Sequence, residues 1–205
     1  LQGFAGVFPW NVITYWFFHY LETERFYDQN AVMLTMVPAV LVLASGYFVG
    51  GSLGDLAFKR TQRGRMLVSM VGALLGAGLI FITLNIPLDQ KLLFGVMMSL
   101  TALVMPLGSP NIVSSINDIA LPEVRSSAFS VQYFIENSGA AIAPLLAGII
   151  AESTSLGFAI LIITVVARVI AAAFMGWAAL TIPEDISRLR EQMRQRALEN
   201  PESAS

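Results

Sequence analysis

The chain has 205 residues, of which 56% are hydrophobic and 13% charged, with a mean hydropathy of +0.68. A water-soluble domain of this size carries roughly 45–50% apolar and about 25% charged residues, so the composition is that of a membrane protein. Net charge is −2, leaving no global positive field to hold nucleic acid, while zero cysteines and one histidine exclude disulfides, thiolate metal sites and histidine-rich metal centres.

The chain opens at Leu1 within an apolar run that has no basic segment before it, so this run does not read as a signal peptide, and a preceding portion of a longer protein is expected. About 20 consecutive apolar residues carry a helix across the hydrocarbon core. Six such stretches can be read, at 3–21, 31–56, 66–86, 92–116, 126–150 and 156–180. The connections at 22–30, 59–65, 87–91, 117–125 and 152–155 are short and polar or turn-rich, which forces antiparallel neighbours. The predicted fold is an all-α polytopic bundle over 1–183 followed by a charged tail over 184–205.

In the first span Asn11, Tyr15, His19 and Glu22 recur at three- and four-residue steps, with Thr14 beside them, and so share one helical face. A polar stripe on an apolar helix belongs against water or a neighbouring helix rather than lipid. Asn11, Thr14, Tyr15 and His19 are candidates for lining a substrate pathway, and interhelical hydrogen bonding is the competing role for Asn11 and Tyr15. His19 and Glu22 fall near the span's end, where interfacial exposure is the simpler account. An imidazole titrates near neutrality, which still makes His19 a proton-coupling candidate.

Gly46, Gly50 and Gly54 repeat on one face of the second span, as Gly72 and Gly76 do on the third, and such faces read as packing surfaces. In the fourth span Pro106-Leu107-Gly108-Ser109-Pro110 removes backbone donors and predicts a kink. The freed carbonyls need a cavity or polar neighbours. Ser109 and Asn111 are therefore pathway candidates, at either a substrate-facing bend or a static kink. Met36, Met97, Met98 and Met105 read as apolar filler rather than a metal path.

Glu136 and Arg168 lie deep in the fifth and sixth spans, with a depth offset of about 6 Å at roughly 1.5 Å per residue, within reach of long side chains. A structural ion pair is the leading expectation, and a Glu136 free of Arg168 and acting as a proton carrier is the alternative. Gly139, Ala143 and Ala147 continue the Glu136 face with small side chains, and Tyr133 and Asn137 flank it as further pathway candidates. In the tail Ile186, Leu189, Met193 and Ala197 fall near helical spacing, which fits a short helix on the inner leaflet or a solvated charged segment.

Lys59, Arg60, Arg63, Arg65, Arg125, Arg188, Arg190, Arg194 and Arg196 fall on one side of this arrangement and only Arg25 and Lys91 on the other. The excess of basic residues predicts that the first side, with both chain ends, is cytoplasmic. The P-loop, dinucleotide and zinc-protease signatures GxxxxGK[ST], GxGxxG and HExxH are absent. Transport or gating is expected rather than covalent catalysis, with no cofactor.

After the second span, Gly50-Gly51-Ser52-Leu53-Gly54-Asp55 is followed by Lys59-Arg60 and Arg63-Gly64-Arg65. This arrangement resembles the G-x-L-x-D…R-x-G-R-R/K loop of the major facilitator superfamily, which joins the second and third helices of each six-helix half. The stretch between Asp55 and Gly64 is longer here than in the family pattern. Leu121-Pro122-Glu123-Val124-Arg125-Ser126-Ser127-Ala128, with Gly139 and Ala143-Pro144-Leu145-Leu146-Ala147-Gly148, resembles the loop and fifth helix of the family's C-terminal half. Together with the opening Leu1-Gln2-Gly3-Phe4 and Pro9-Trp10, the chain is most similar, along essentially its whole length, to the seventh to twelfth helices of bacterial members near the Spinster-like group.

The resemblance implies the C-terminal half of a twelve-helix secondary transporter in the plasma (inner) membrane, built from three-plus-three inverted repeats. Its implied partners are the lipid bilayer, an N-terminal six-helix half and a small-molecule substrate, moved by alternating access with ion-gradient coupling. Lipid-like amphiphiles and organic anions enter by analogy. Gly51, Asp55, Lys59, Arg60, Arg65 and Arg125 are then a conformational latch at the inner surface, where Asp55 accepts from a neighbouring arginine, Arg125 being one candidate, or sits at a helix N-terminus. A basic loop that merely sets topology is the competing reading of the same residues. The alternative from another class is a self-contained six-helix scaffold or channel subunit.

Overall fold

The computed structural model describes residues 1–199, and the regular elements among them are helices. In chain order they are α1 (Gln2–Gly6), α2 (Phe8–Thr23), α3 (Gln29–Arg60), α4 (Gly64–Leu84), α5 (Lys91–Val104), α6 (Ser109–Ile119), α7 (Arg125–Ser153) and α8 (Leu156–Glu199), with a 3₁₀ turn at Pro122–Val124. Five segments, with α5 and α6 counted as one, are long and apolar enough to cross a membrane. The remaining expected span, the first, is present as α1 and α2, and α2 alone has 16 residues.

Prolines explain both interruptions. Pro9 stands at the second position of α2, where its missing N–H cannot bond to the Ala5 carbonyl and its ring crowds that carbonyl, which favours the break between α1 and α2. Pro106 lies in the gap between α5 and α6 and Pro110 at the second position of α6, and the gap is crossed by tighter bonds from Leu107 N to Val104 O at 3.2 Å and from Ser109 N to Pro106 O at 3.0 Å. Pro38, Pro144 and Pro183 are instead accommodated inside continuous helices.

Two boundaries differ from expectation. The basic connection at 59–65 is mostly helix: α3 runs to Arg60, so only Thr61, Gln62 and Arg63 turn the chain into α4. Gly64 makes this turn possible, since a Cβ there would run into the Ala57 carbonyl. The proposed division between residues 183 and 184 does not exist as a structural break, because α8 passes through Pro183 as a helix of 44 residues. Ile186 is buried beside Met66, Ala179 and Ile182, and Arg196 pairs with Glu123 at 3.0 Å, so apolar packing and a charge pair hold this extension to the bundle. The remainder of the expected tail, 200–205, lies outside the described residues.

The helices pack in a definite pattern. α4 lies against α8; α3 lies against α5 and α6; α7 lies against α1 and α2; α8 also meets α1 and α2, and α4 also meets α5 and α6. The glycine face of α3 allows its close approach to the fourth span. Side chains at Gly46, Gly50 and Gly54 would collide with the Leu103 carbonyl, the Leu107 backbone and the Asn111 carboxamide in turn. The main apolar core gathers Val12, Phe17 and Leu21 of α2 with Phe94 of α5 and Ile160 of α8. A second cluster of small residues, Ala5, Ala73, Ala171 and Ala172 with Met175, joins α1, α4 and α8.

The glycines are not equivalent. A Cβ on Gly51 would sit 3.7 Å from Pro110, an ordinary contact, whereas one on Gly54 has no room beside Asn111. Gly54→Ala is expected to lower stability by about 1–3 kcal/mol, while Gly51→Ala stays within about 0.5 kcal/mol of the parent. Melting of the purified protein in detergent checks the pair, and equal effects would mean that the α3–α6 contact is looser than described.

Candidate functional site

A cavity of about 350 Å³ opens between the two interrupted spans. Gly3, Gly6, Val7 and Trp10 line it from the α1–α2 side, and Met105, Pro106, Ser109 and Ile112 line it from the α5–α6 side. Tyr47 of α3, Gln132, Tyr133 and Glu136 of α7, and Arg168 of α8 complete the wall. Its position follows from the breaks, because a chain that leaves helical geometry cannot pack as closely as a continuous helix.

Arg168 reaches the break in the fourth span. Its Nη2 donates to the Met105 carbonyl at 2.9 Å, an oxygen released because the amide of Ser109 bonds to Pro106 instead. Glu136, on α7, accepts a hydrogen bond from Gln132 Nε2 at 2.6 Å. The expected Glu136–Arg168 ion pair is therefore not formed, although both side chains border one cavity. The two residues sit at compatible depths, but α1 also packs against both α7 and α8 in this region. Gly3 faces Gln132 and Glu136, Gly139 faces the Phe4 carbonyl, and Ala5 is buried with Ala171 and Ala172.

The other pathway candidates divide. Ser109 and Tyr133 line the cavity. Thr14, Tyr15 and His19 lie on the exposed surface instead, Tyr15 being 69% exposed, and the half-buried Asn11 turns its carboxamide back to the Val7 carbonyl at 2.9 Å. The cavity uses the adjacent face of the same helices. Asn111 is 1% exposed and clamps helices: its Nδ2 donates to Gly50 O at 3.0 Å and to Leu107 O at 2.9 Å, which places it in packing rather than in the pathway. Asn137 is exposed and bonds to the Tyr133 carbonyl of its own helix. Gln132 went unnoticed as a site residue; its signal was the four-residue step to Glu136.

At the basic end, Arg65 is the hub of the latch residues. It donates to Asp55 from Nη2 at 2.8 Å and from Nε at 3.3 Å, pairs with Asp118 of α6 through Nη1, and lies 4.1 Å above the Phe58 ring. One guanidinium thus ties α3, α4 and α6. Arg125, expected as a partner for Asp55, instead caps α6 by donating to Ala120 O and Asn117 O at 3.3 and 3.2 Å. Lys59 and Arg60 are exposed. Asp118 was missed because it sits in the loop region of the sequence and becomes a partner only when α6 folds back beside α4.

The opposite end carries a second set of charge contacts that the sequence reading assigned only to topology. Arg25 is 2% exposed; it donates to Ile86 O and Pro87 O at 3.1–3.2 Å beyond the C-terminus of α4 and stacks 3.8 Å above Phe94. Its neighbour Glu24 accepts from Leu156 N at 2.5 Å and Gly157 N at 2.9 Å at the N-terminus of α8. Each charge has the sign that its helix end favours. A left-handed backbone at Phe26, φ 54°, directs Arg25 and Tyr27 inward while Phe26 itself remains exposed.

Gly50-Gly51-Ser52-Leu53-Gly54 also spells the GxSxG pattern of serine hydrolases. It lies within the continuous helix α3 rather than on a strand-to-helix turn, and Ser52 is exposed. His19, the chain's one histidine, belongs to the far end of the bundle, roughly 35 Å of helix away at about 1.5 Å per residue. The pattern supplies no catalytic arrangement here. No family model matches the chain, and no curated protein matches it.

Because Asp55 and Asp118 share Arg65, their contributions are expected to be coupled. Asp55 is 61% exposed and Asp118 28%, so Asp55→Asn should cost under about 1 kcal/mol and Asp118→Asn about 1–2 kcal/mol. In the Asp118→Asn background the second change should cost about 0.5–1 kcal/mol more than it does alone. A double-mutant cycle on detergent melts measures this, and strict additivity would dissolve the three-helix hub into two independent contacts.

Proposed function

We propose that the chain works in a membrane as half of a secondary transporter, moving a small solute by alternating access with ion-gradient coupling. The observation that carries the reading is the cavity placed where two interrupted spans face each other, since discontinuous helices around a site between repeats are the usual construction of such transporters.

The packing pattern supports inverted repeats. Exchanging the first three spans with the last three turns the α3 contacts with α5–α6 into the α7 contacts with α1–α2, turns the α4 contacts with α5–α6 into those of α8 with α1–α2, and maps the α4–α8 contact onto itself. The two interrupted spans are the first member of each triplet. This agrees with the major facilitator resemblance carried by Asp55, Arg63, Gly64 and Arg65, and it implies a second six-helix half closing the open side of the cavity. The Arg65 hub then acts as a latch: it holds α3, α4 and α6 together in one conformation and its breakage favours the other.

Orientation follows from the basic end being cytoplasmic. The chain lacks cysteine, so single cysteines report topology directly. Cysteines placed at Thr61 and Ser187 are expected to label only from the cytoplasm, and those at Gln29 and Thr154 only from outside; reversed labelling would invert the arrangement.

The function is tested with the intact protein in proteoliposomes, against a panel of small solutes with and without a proton gradient. Saturable uptake is expected, and Asp118→Asn should lower it several-fold with little loss of reconstituted protein. Flux that never saturates would identify a channel, and no flux of any solute would favour a scaffold.

A further inference from the structure

Two charges on the cavity wall are left without counter-ions. Among the described residues, neither Arg168 nor Glu136 takes part in an ion pair. Arg168 spends Nη2 on the Met105 carbonyl, and its buried Nε has no partner at all. Glu136 has a single neutral donor, Gln132. Apolar surface surrounds them, including Trp10, Met98 and Ile112. A guanidinium and a carboxylate in such surroundings are each costly unless compensated, and here each is bonded to a neutral partner rather than to the other.

We propose that the cavity binds a small zwitterion with an apolar body, its anionic group held by Arg168 and its cationic group facing Glu136. A simple anion would satisfy Arg168 while adding like charge opposite Glu136, and a simple cation would do the reverse. A zwitterion compensates both groups, and a guanidinium is a directional donor suited to a carboxylate or phosphate oxygen. Trp10, Tyr47 and Tyr133, each about half exposed, frame the mouth and offer ring faces to the apolar body. The volume suits a molecule of amino-acid to dipeptide size.

The inference rests on the transporter reading for the cavity's role as a solute site, but binding is measured at equilibrium without a gradient, so the two fail separately. Equilibrium dialysis of the intact purified protein uses two zwitterions, phenylalanine with adjacent charges and ω-aminooctanoate with separated ones. Each is compared with singly charged analogues: phenylpropionate and phenylalanine methyl ester, octanoate and octylamine. At least one zwitterion should be retained about tenfold or more tightly than both of its analogues. Glu136→Gln, at a half-buried site whose one partner is Gln132, should remove that preference, and Arg168→Gln should weaken binding about tenfold or more while Arg168→Lys recovers part of it. Equal retention of an anion-only or cation-only analogue, failure to retain either zwitterion, or unchanged binding in Glu136→Gln would each overturn the proposal. Zwitterion binding without uptake in proteoliposomes would leave it standing and remove the transporter reading.

Discussion

A carbonyl that leaves the helical ladder inside an apolar bundle must find a donor, and arginine supplies that donor repeatedly in this protein. Arg168 takes the Met105 carbonyl at the break in the fourth span, Arg25 takes Ile86 and Pro87 beyond α4, and Arg125 takes Ala120 and Asn117 at the end of α6. In each case one side chain fixes where a helix stops relative to another part of the bundle. The chain can therefore contain a mid-span break and sharp reversals without leaving those carbonyls unpaired. Removing the guanidinium at a buried site would leave an oxygen with no substitute donor, a cost of roughly 1–3 kcal/mol per group.

Small residues are the second half of this construction. Arginine contacts hold helix ends, but the middle of the bundle depends on how near the backbones come. The Gly46, Gly50 and Gly54 face brings α3 onto the fourth span, and Gly54 makes room for Asn111, which in turn reaches Gly50. The hydroxyls of Thr83 and Thr101, 3.0 Å apart, hold α4 and α5 in the same way while each also bonds to its own helix. Polar side chains within these apolar spans thus serve packing as often as they border open space, which is why polarity alone did not separate Asn111 from Ser109.

The charge arrangement differs between the ends and the middle. Arg65 with Asp55 and Asp118, and Glu24 with the start of α8, are satisfied within the chain. Glu136 and Arg168 are not satisfied by each other and border a cavity. Ends that hold and a centre that stays uncompensated form the electrostatic pattern on which the proposed solute site rests. In that reading the hub at the basic end sets the conformation, and the cavity between the breaks receives the solute.

Composition and periodicity determined a good deal. An apolar content of 56% and runs of about 20 apolar residues made a multi-helix bundle legible, because the length a span needs is set by the thickness of the hydrocarbon core. The proline cluster 106–110 marked the mid-span break for a local reason. The glycine repeats identified packing faces because their spacing matches the helical turn. What the sequence could not contain was which partner each charged side chain meets. Glu136 and Arg168 sit at compatible depths, yet Glu136 bonds to Gln132 and Arg168 to the Met105 carbonyl, while α1 packs against both α7 and α8. Asp55 needed an arginine, but Arg65 rather than Arg125 meets it, and Asp118 joins only because α6 returns beside α4. The first-span stripe faces outward for a related reason, since the amphipathic period defines a face but not its neighbour. Helix existence is decided by interactions within a few residues of the chain, whereas the partner of a charged side chain is decided by helix placement, and that belongs to the tertiary structure.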